Sequence, residues 1–332
     1  MRRLAALLLV PALALGAAAC GDDDKGGGSD PSPSASSTAP ARLAGVSMTG
    51  AATANPAFGQ APDLKIPDGA PPAGLGVEVL TEGTGAVVGA EDLVNANYEG
   101  VSWSTKKVFD SSFDRGEPAE FYLQSVIKGW TQGLAGKKVG SRLLLTIPGD
   151  LGYGAAGKDP DIKSNETLVF AVDIVGTRPA YATGTAVPPN ADLPTVFTEG
   201  NKVVSMTFPE GKAAPTALTV QPLIEGNGAA VGGTDQVEVQ LLQWLWGSPT
   251  MLGSTWAGSG PTALPLGQAD GAPVMASLTE ALTGKKVGSR VMVVMPPDRG
   301  FGAEGNPTQN IPANSTFVVV VDIVGTGPAS TS

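Results

Sequence analysis

Histidine is absent from all 332 residues, and cysteine occurs once, at Cys20. These two facts settle most of the available chemistry before any motif is read. Without imidazole there is no Ser-His-Asp or Cys-His nucleophile, no histidine general base and no imidazole-ligated metal. One thiol makes neither an internal disulfide nor a thiolate zinc cluster. The polar groups left are 31 carboxylates, 21 Lys and Arg side chains and hydroxyls, set among 5 Trp, 4 Tyr and 9 Phe. What survives is chemistry that needs no base, metal or redox thiol, or else binding alone. The formal charge of −10 opposes non-specific attraction to nucleic acid or anionic lipid.

The lone thiol has a context. Arg2 and Arg3 precede an apolar run over residues 4–15, and Gly16-Ala17-Ala18-Ala19 stands directly before Cys20. That order reads as a secretory signal over residues 1–19. It resembles the lipobox of bacterial lipoproteins, which implies diacylglycerol on the Cys20 thiol and a membrane anchor outside the cytoplasm. Two or more acyl chains hold stably where a single one binds marginally. Residues 20–62 are rich in Gly, Ser, Pro, Ala, Thr and Asp, with the runs Asp22-Asp23-Asp24 and Gly26-Gly27-Gly28. Such a segment buries too little apolar surface to offset its chain entropy, so it is expected to act as a tether.

The rest of the chain is written twice. Gly-Lys-Lys-Val-Gly-Ser-Arg occurs at 136–142 and 284–290, and Val-Asp-Ile-Val-Gly-Thr at 172–177 and 321–326. This period far exceeds the roughly 20–50 residues of solenoid repeats and marks duplication of a whole domain. Domains are therefore expected over 63–180 and 181–332. Within the first copy, residues 93–99, 142–147 and 167–175 are short runs of Val, Leu, Ile and aromatics between Gly, Pro, Asn and Asp clusters, the pattern of antiparallel strands. Val126, Ile127, Trp130 and Leu134 instead fall at helical spacing, with Ser125 as an expected N-cap and Gly136 behind. Val274, Met275, Leu278 and Leu282 repeat that pattern. One short helix must then lie across the sheet, its apolar residues filling the core or flooring a pocket.

The ordered series Tyr98-Glu99-Gly100, residues 108–116 (Val-Phe-Asp-Ser-Ser-Phe-Asp-Arg-Gly), Val126-Ile127-Lys128-Gly129-Trp130, Gly152-Tyr153-Gly154 and Thr167-Leu168-Val169-Phe170 resembles the FKBP-type peptidyl-prolyl cis-trans isomerases. The resemblance implies an α+β fold in each copy: a twisted antiparallel sheet of about five strands wrapping one short helix. It implies cis/trans interconversion of X-Pro bonds, which needs no cofactor. It implies Trp130 as a pocket floor beneath the proline ring, walled by Tyr98, Phe109, Phe121, Val126, Ile127 and Phe170. Tyr153 would donate its hydroxyl to a substrate carbonyl, and Ile162 would contribute from an overhanging loop. Asp110 would sit at the rim, bonded to the Tyr98 hydroxyl and near Arg115, although an Asp before two serines is also a common turn former. Implied partners are proline-containing exported polypeptides, with macrolide inhibitors of the family at copy one.

Laid over the first copy, the second has Leu241 for Tyr98, Leu252 for Phe109, Gly253 for Asp110, Gly258 for Arg115, Leu278 for Trp130, Phe301 for Tyr153 and Val319 for Phe170. The polar groups of the expected cleft are gone while most positions stay apolar, so copy two is expected to be non-catalytic. It keeps Ile311-Pro312-Ala313-Asn314-Ser315-Thr316, and peptide binding without turnover is compatible with that. The chain therefore reads as an anchored isomerase, as a holdase whose turnover is incidental, or as a β-rich surface spacer. The aromatic set in copy one speaks against the last.

Overall fold

The computed structural model describes residues 47–49, 57–257, 260–267 and 273–328. The expected signal segment, Cys20 and Gly258 lie outside the described residues. Two strands precede the first repeat, β1 (Ser47–Thr49) and β2 (Asp63–Lys65), paired antiparallel. Then follow β3 (Gly76–Thr81), β4 (Asp92–Ser102), β5 (Val108–Ser111), the single turn α1 (Ser112–Arg115), β6 (Ala119–Tyr122), α2 (Lys128–Leu134), β7 (Arg142–Ile147) and β8 (Leu168–Pro179). The sheet runs β3-β7-β8-β4-β5, with β6 also on β4, and its pairs are antiparallel.

Strand alternation distributes the apolar residues of β7 to two faces. Leu143, Leu145 and Ile147 join the cluster holding Trp130 and Leu134 of α2. Leu144 joins Leu64 and Trp103 on the opposite face. A sheet covered on both sides explains why β7 reads as a continuous apolar run rather than an alternating one.

The helix begins later than its spacing suggests. Ile127 is the N-cap of α2 and makes no side-chain cap bond; the Ser125 hydroxyl donates to the Tyr122 carbonyl instead, at 2.9 Å. Val126 and Ile127 thus belong to the turn before the helix. The strand expected at 93–99 extends over Asp92–Ser102, and that at 167–175 runs on to Pro179.

The second repeat comprises β9 (Thr185–Ala186), β10 (Thr195–Glu199), β11 (Lys202–Thr207), β12 (Thr219–Glu225), β13 (Asp235–Leu245), β14 (Met251–Ser254), β15 (Thr262–Pro265), α3 (Pro273–Leu282), β16 (Arg290–Met295) and β17 (Phe317–Pro328). Its sheet, β14-β13-β17-β16-β12-β9 with β15 on β13, repeats the first and adds β9 at the edge beside β12. The pair β10–β11 packs Val203 and Met206 against Trp244, Met292, Val318 and Val320. It covers the face that Leu64 of β2 covers in repeat one.

The duplicated sequence strings have a structural cause. Arg142 Nε and Nη2 donate to Asp173 Oδ1 and Oδ2 at 2.5 and 2.7 Å, and both side chains are almost wholly buried. Arg142 Nη2 also donates to the Gln60 carbonyl at 2.7 Å, and the Gly59 amide donates to Asp173 at 2.6 Å. Repeat two has the same clamp: Arg290 on Asp322 at 2.6 and 2.7 Å, with Asn201 and Ala182 as its backbone partners. In each copy the buried pair fastens the segment that precedes the sheet. β1 and the bonded Gly59 and Gln60 fall within the segment expected to act as a tether up to residue 62.

Glu99 lies half-buried on β4. Burial first, then the charges of Asp114 and Asp63, push its carboxyl up to about 7, against one amide bond from Leu64. A folded-state value above the unfolded one means that the native state prefers the protonated acid, so stability falls as pH rises from about 4.5 through 7. Glu99→Gln is expected to melt higher than wild type at pH 8 and at the same temperature at pH 4. A difference independent of pH would contradict this.

Candidate active site

Ten residues of repeat one enclose a cleft of about 220 Å³: Tyr98, Phe109, Asp110, Phe121, Ser125, Val126, Ile127, Trp130, Tyr153 and Phe170. Its volume lies below the roughly 300–1,000 Å³ that accepts drug-sized ligands and suits one or two residues of a chain. Trp130, only 4% exposed, is its hub. The indole meets Tyr98, Phe121 and Phe170 edge-on, with ring centroids 5.3, 5.0 and 5.3 Å away. Phe109 stands against Phe170 at 5.5 Å and 89°. These T-shaped pairs match the positive edge of one ring to the negative face of the next.

Two glycines make this packing feasible. A Cβ on Gly100 would lie 2.6 Å from Phe109 Cζ and 2.7 Å from Phe170 Cε1, so only glycine on β4 lets those rings meet. A Cβ on Gly129 would lie 2.3 Å from Ile147; its absence lets α2 sit close on β7 and presents Trp130 to the cleft.

One edge of the cleft is polar. The Tyr98 hydroxyl donates to Asp110 Oδ2 at 2.5 Å, while Arg115 donates through Nη1 to Asp110 Oδ1 at 2.5 Å and through Nη2 to the Tyr98 oxygen at 2.8 Å. The guanidinium carbon lies 5.5 Å from the Tyr98 ring centroid. Burial pushes the Tyr98 phenol up to about 12, aided by the Asp110 carboxylate. For Asp110 burial acts upward, yet the bonds from Tyr98 and Arg115 prevail and hold the carboxyl below its ordinary value. Near neutral pH the edge is therefore a neutral phenol, a carboxylate and a guanidinium, each engaged with the other two.

Local sequence sets that triad. Ser111, not Asp110, caps α1, accepting from the Asp114 amide at 3.3 Å. Ser112 Oγ accepts from the Tyr98 amide at 2.8 Å and donates to Asn97 Oδ1 at 3.2 Å. Gly116 closes the turn in the left-handed region, φ 79°, where glycine carries no steric penalty. With the capping done by serine, the Asp110 side chain is left for Tyr98 and Arg115.

Tyr153 lies across the cleft with the Lys158 ammonium 5.5 Å from its ring centroid. Ile162 is not among the residues that line the cleft and joins the buried cluster that holds Trp130 and Phe170. Its amide and carbonyl pair with Lys158 at 2.9 and 2.8 Å, a closed turn that sends the side chain into the core at 3% exposure. Arg115 likewise stands outside the lining and acts on it through Asp110. Ser125, which reading by residue type assigned to a helix cap, lines the cleft.

In repeat two the corresponding positions are built differently. Leu241, Leu278 and Val319 are buried in the core, and Leu252 and Phe301 pack against it. The Phe301 ring meets Phe317 edge-on at 5.1 Å, and Gly253 leaves no carboxylate. The backbone staple is nonetheless retained: Thr255 Oγ1 accepts from the Leu241 amide at 2.9 Å, as Ser112 does from Tyr98.

The profile of the FKBP-type peptidyl-prolyl cis-trans isomerases matches residues 85–175 and 228–324. The chain belongs to that family. Its similar relatives include an FK506-binding protein of Streptomyces anulatus, 44% identical over 117 residues that make up 34% of this chain and 94% of the relative. The FKBP-type peptidyl-prolyl cis-trans isomerase FkpA of Escherichia coli K12 is 44% identical over 107 residues, 32% of this chain and 39% of that protein. The crystal structure of FkpA from Escherichia coli aligns at 43% identity and a TM-score of 0.31, covering 32% of this chain and 49% of that one. This FKBP is thus a peptidyl-prolyl isomerase with two family domains of α+β architecture in tandem.

Proposed function

We propose that repeat one alone carries the isomerase activity, that its cleft receives the prolyl ring, and that repeat two does not turn over substrate. The observation carrying this reading is the contrast between the Trp130-centred ring cluster with its Tyr98–Asp110–Arg115 edge and the leucine, valine and glycine at the same places in repeat two. An X-Pro amide rotates over a barrier of about 18–20 kcal/mol because resonance stiffens its C–N bond. No bond forms or breaks. The planar amide is the more charge-separated form, so an apolar, ring-lined cleft favours the twisted one. The Tyr98–Asp110–Arg115 edge is already internally bonded and keeps the rings in place. The Tyr153 hydroxyl donates to the carbonyl of the substrate. Removing about 7 kcal/mol from the barrier brings tens of seconds down to a fraction of a millisecond.

The substrates are proline-containing exported polypeptides. The leader and Cys20 motif support a site of action outside the cytoplasmic membrane, held there by acyl chains on Cys20. In a protease-coupled proline-peptide assay of the full chain, Tyr153→Phe is expected to lose about fivefold in kcat/KM, the worth of one hydrogen bond near 1 kcal/mol. Asp110→Val, which strips both Tyr98 and Arg115 of their partner, is expected to lose more. A macrolide inhibitor should abolish turnover at one equivalent. Unchanged rates in both variants, or two equivalents bound alike, would contradict the assignment.

A further inference from the structure

One segment of repeat one faces two ways. Along residues 119–127, Phe121, Ser125, Val126 and Ile127 line the cleft, while Tyr122 and Gln124 meet repeat two and Glu120 is linked to it through Arg178. In β6 this is the two-residue alternation of a strand. The contacts are specific. Arg178, near the end of β8, donates Nη2 to Glu120 Oε1 at 2.9 Å and to Glu238 of β13 at 2.5 Å, and Nη1 to the Val324 carbonyl of β17 at 2.8 Å. Tyr122 is buried in a cluster with Leu93, Ala180 and Val324. Its ring abuts the backbone of Gly260, where a Cβ would lie 2.5 Å from Tyr122 Cδ1. Lys202 of β11 donates to Gln124 Oε1 at 2.5 Å and lies 3.5 Å from Glu91.

Among the described residues β6 pairs with β4 alone. Its other side is held by side-chain contacts: Gly260 and Lys202 of repeat two supply two of them, and Arg178, itself bonded to Glu238 and Val324 of repeat two, supplies the third. Phe121 couples that strand to the floor, its ring 5.0 Å from Trp130 and 5.6 Å from Tyr98.

We infer that repeat two is a positioning element for the cleft of repeat one: Glu238 and the Val324 carbonyl hold Arg178 of repeat one against Glu120, and with Gly260 and Lys202 they fix the 119–127 wall, and so set how tightly the residues flanking proline are held. This rests on the cleft being the substrate site. It gives the degenerate copy a role that requires a conserved outer surface but no pocket of its own. Arg178, Glu238, Gly260 and Lys202 touch no reacting atom. They act through Glu120, Tyr122 and Gln124.

The test is steady-state isomerisation of proline peptides by the full chain. Gly260→Leu drives a side chain onto Tyr122, and Arg178→Ala removes the strut between Glu120, Glu238 and the Val324 carbonyl. Both are expected to raise KM about fivefold with kcat within about twofold, because a displaced wall weakens ground-state and transition-state binding alike. Arg178→Lys should recover part of the loss. Simple destabilisation would reduce the active fraction and so lower kcat with KM unmoved. An unchanged KM in both variants, whatever kcat does, overturns the inference while leaving the cleft assignment intact. Absence of turnover in wild type would instead remove that assignment, and the inference with it.

Discussion

Full-length protein carrying Trp130→Leu is expected to lose between one and two orders of magnitude in kcat/KM toward a proline peptide while keeping its β-sheet signal. Leucine is the residue that repeat two carries at this place, where Leu278 is buried at 3% exposure in an intact core; the fold therefore accepts it. The chemistry does not. Trp130 presents a flat face held by three edge-on rings, and leucine leaves Tyr98 and Phe170 free to lean into the vacated space. Losing roughly 100 Å² of apolar contact with the prolyl ring, at about 25 cal/mol per Å², costs about 2.5 kcal/mol, or roughly 70-fold in rate. Protease-coupled kinetics alongside far-ultraviolet circular dichroism checks both halves of this expectation. Loss of the sheet signal, or activity within threefold of wild type, would contradict it.

The largest expected effect on stability lies away from the cleft. Arg142→Met leaves Asp173 buried with, among the described residues, the Gly59 amide alone on it and releases the Gln60 carbonyl. Breaking a buried ion pair by removing one partner costs about 3–5 kcal/mol, because the remaining charge is neither solvated nor compensated. For a domain near 100 residues that is a fall in melting temperature of about 12 °C or more. The double variant Arg142→Met, Asp173→Leu is expected to regain much of the loss, since an apolar pair of similar volume needs no desolvation. It should not regain all of it, because Gly59 and Gln60 stay unpartnered. Calorimetric unfolding distinguishes these outcomes. Equal melting of Arg142→Met and wild type would show that the clamp contributes nothing to stability.

That clamp also illustrates what a sequence conceals. The strings ending in Arg142 and Arg290, and those holding Asp173 and Asp322, are the plainest sign of duplication. Yet nothing local pairs an arginine with an aspartate some thirty positions on; the pairing needs the antiparallel register of β7 on β8, which sets Arg142 opposite Asp173. The strands themselves were legible because β-branched and aromatic runs alternate with Gly, Pro, Asn and Asp. The start of α2 was not, because the Ser125 hydroxyl bonds the Tyr122 carbonyl behind it rather than capping the helix, which begins after Ile127. The aromatic members of the cleft were legible from their order along the chain, and the structure brings Tyr98, Phe109, Phe121, Trp130, Tyr153 and Phe170 together. The pairing of Ile162 with Lys158, and the burial of its side chain in the cluster that holds Trp130 and Phe170, were not legible, because they depend on how the loop folds back on itself. The contact between repeats left no trace in either copy read alone. Arg178, Tyr122 and Gln124 are unremarkable until Glu238, Gly260 and Lys202 are set against them.

The most direct test of the account replaces the rings of one repeat by the side chains of the other. Full-length protein with Tyr98→Leu, Phe109→Leu and Trp130→Leu is compared with protein carrying Leu278→Met, a volume-conserving change that keeps the buried core of repeat two intact, and kcat/KM for a proline peptide is measured for each. The account predicts that the first sinks to the uncatalysed rate and that the second keeps at least half of wild-type activity. Retention of half the activity by the first protein, or its loss in the second, would place the reaction outside the Trp130 cleft.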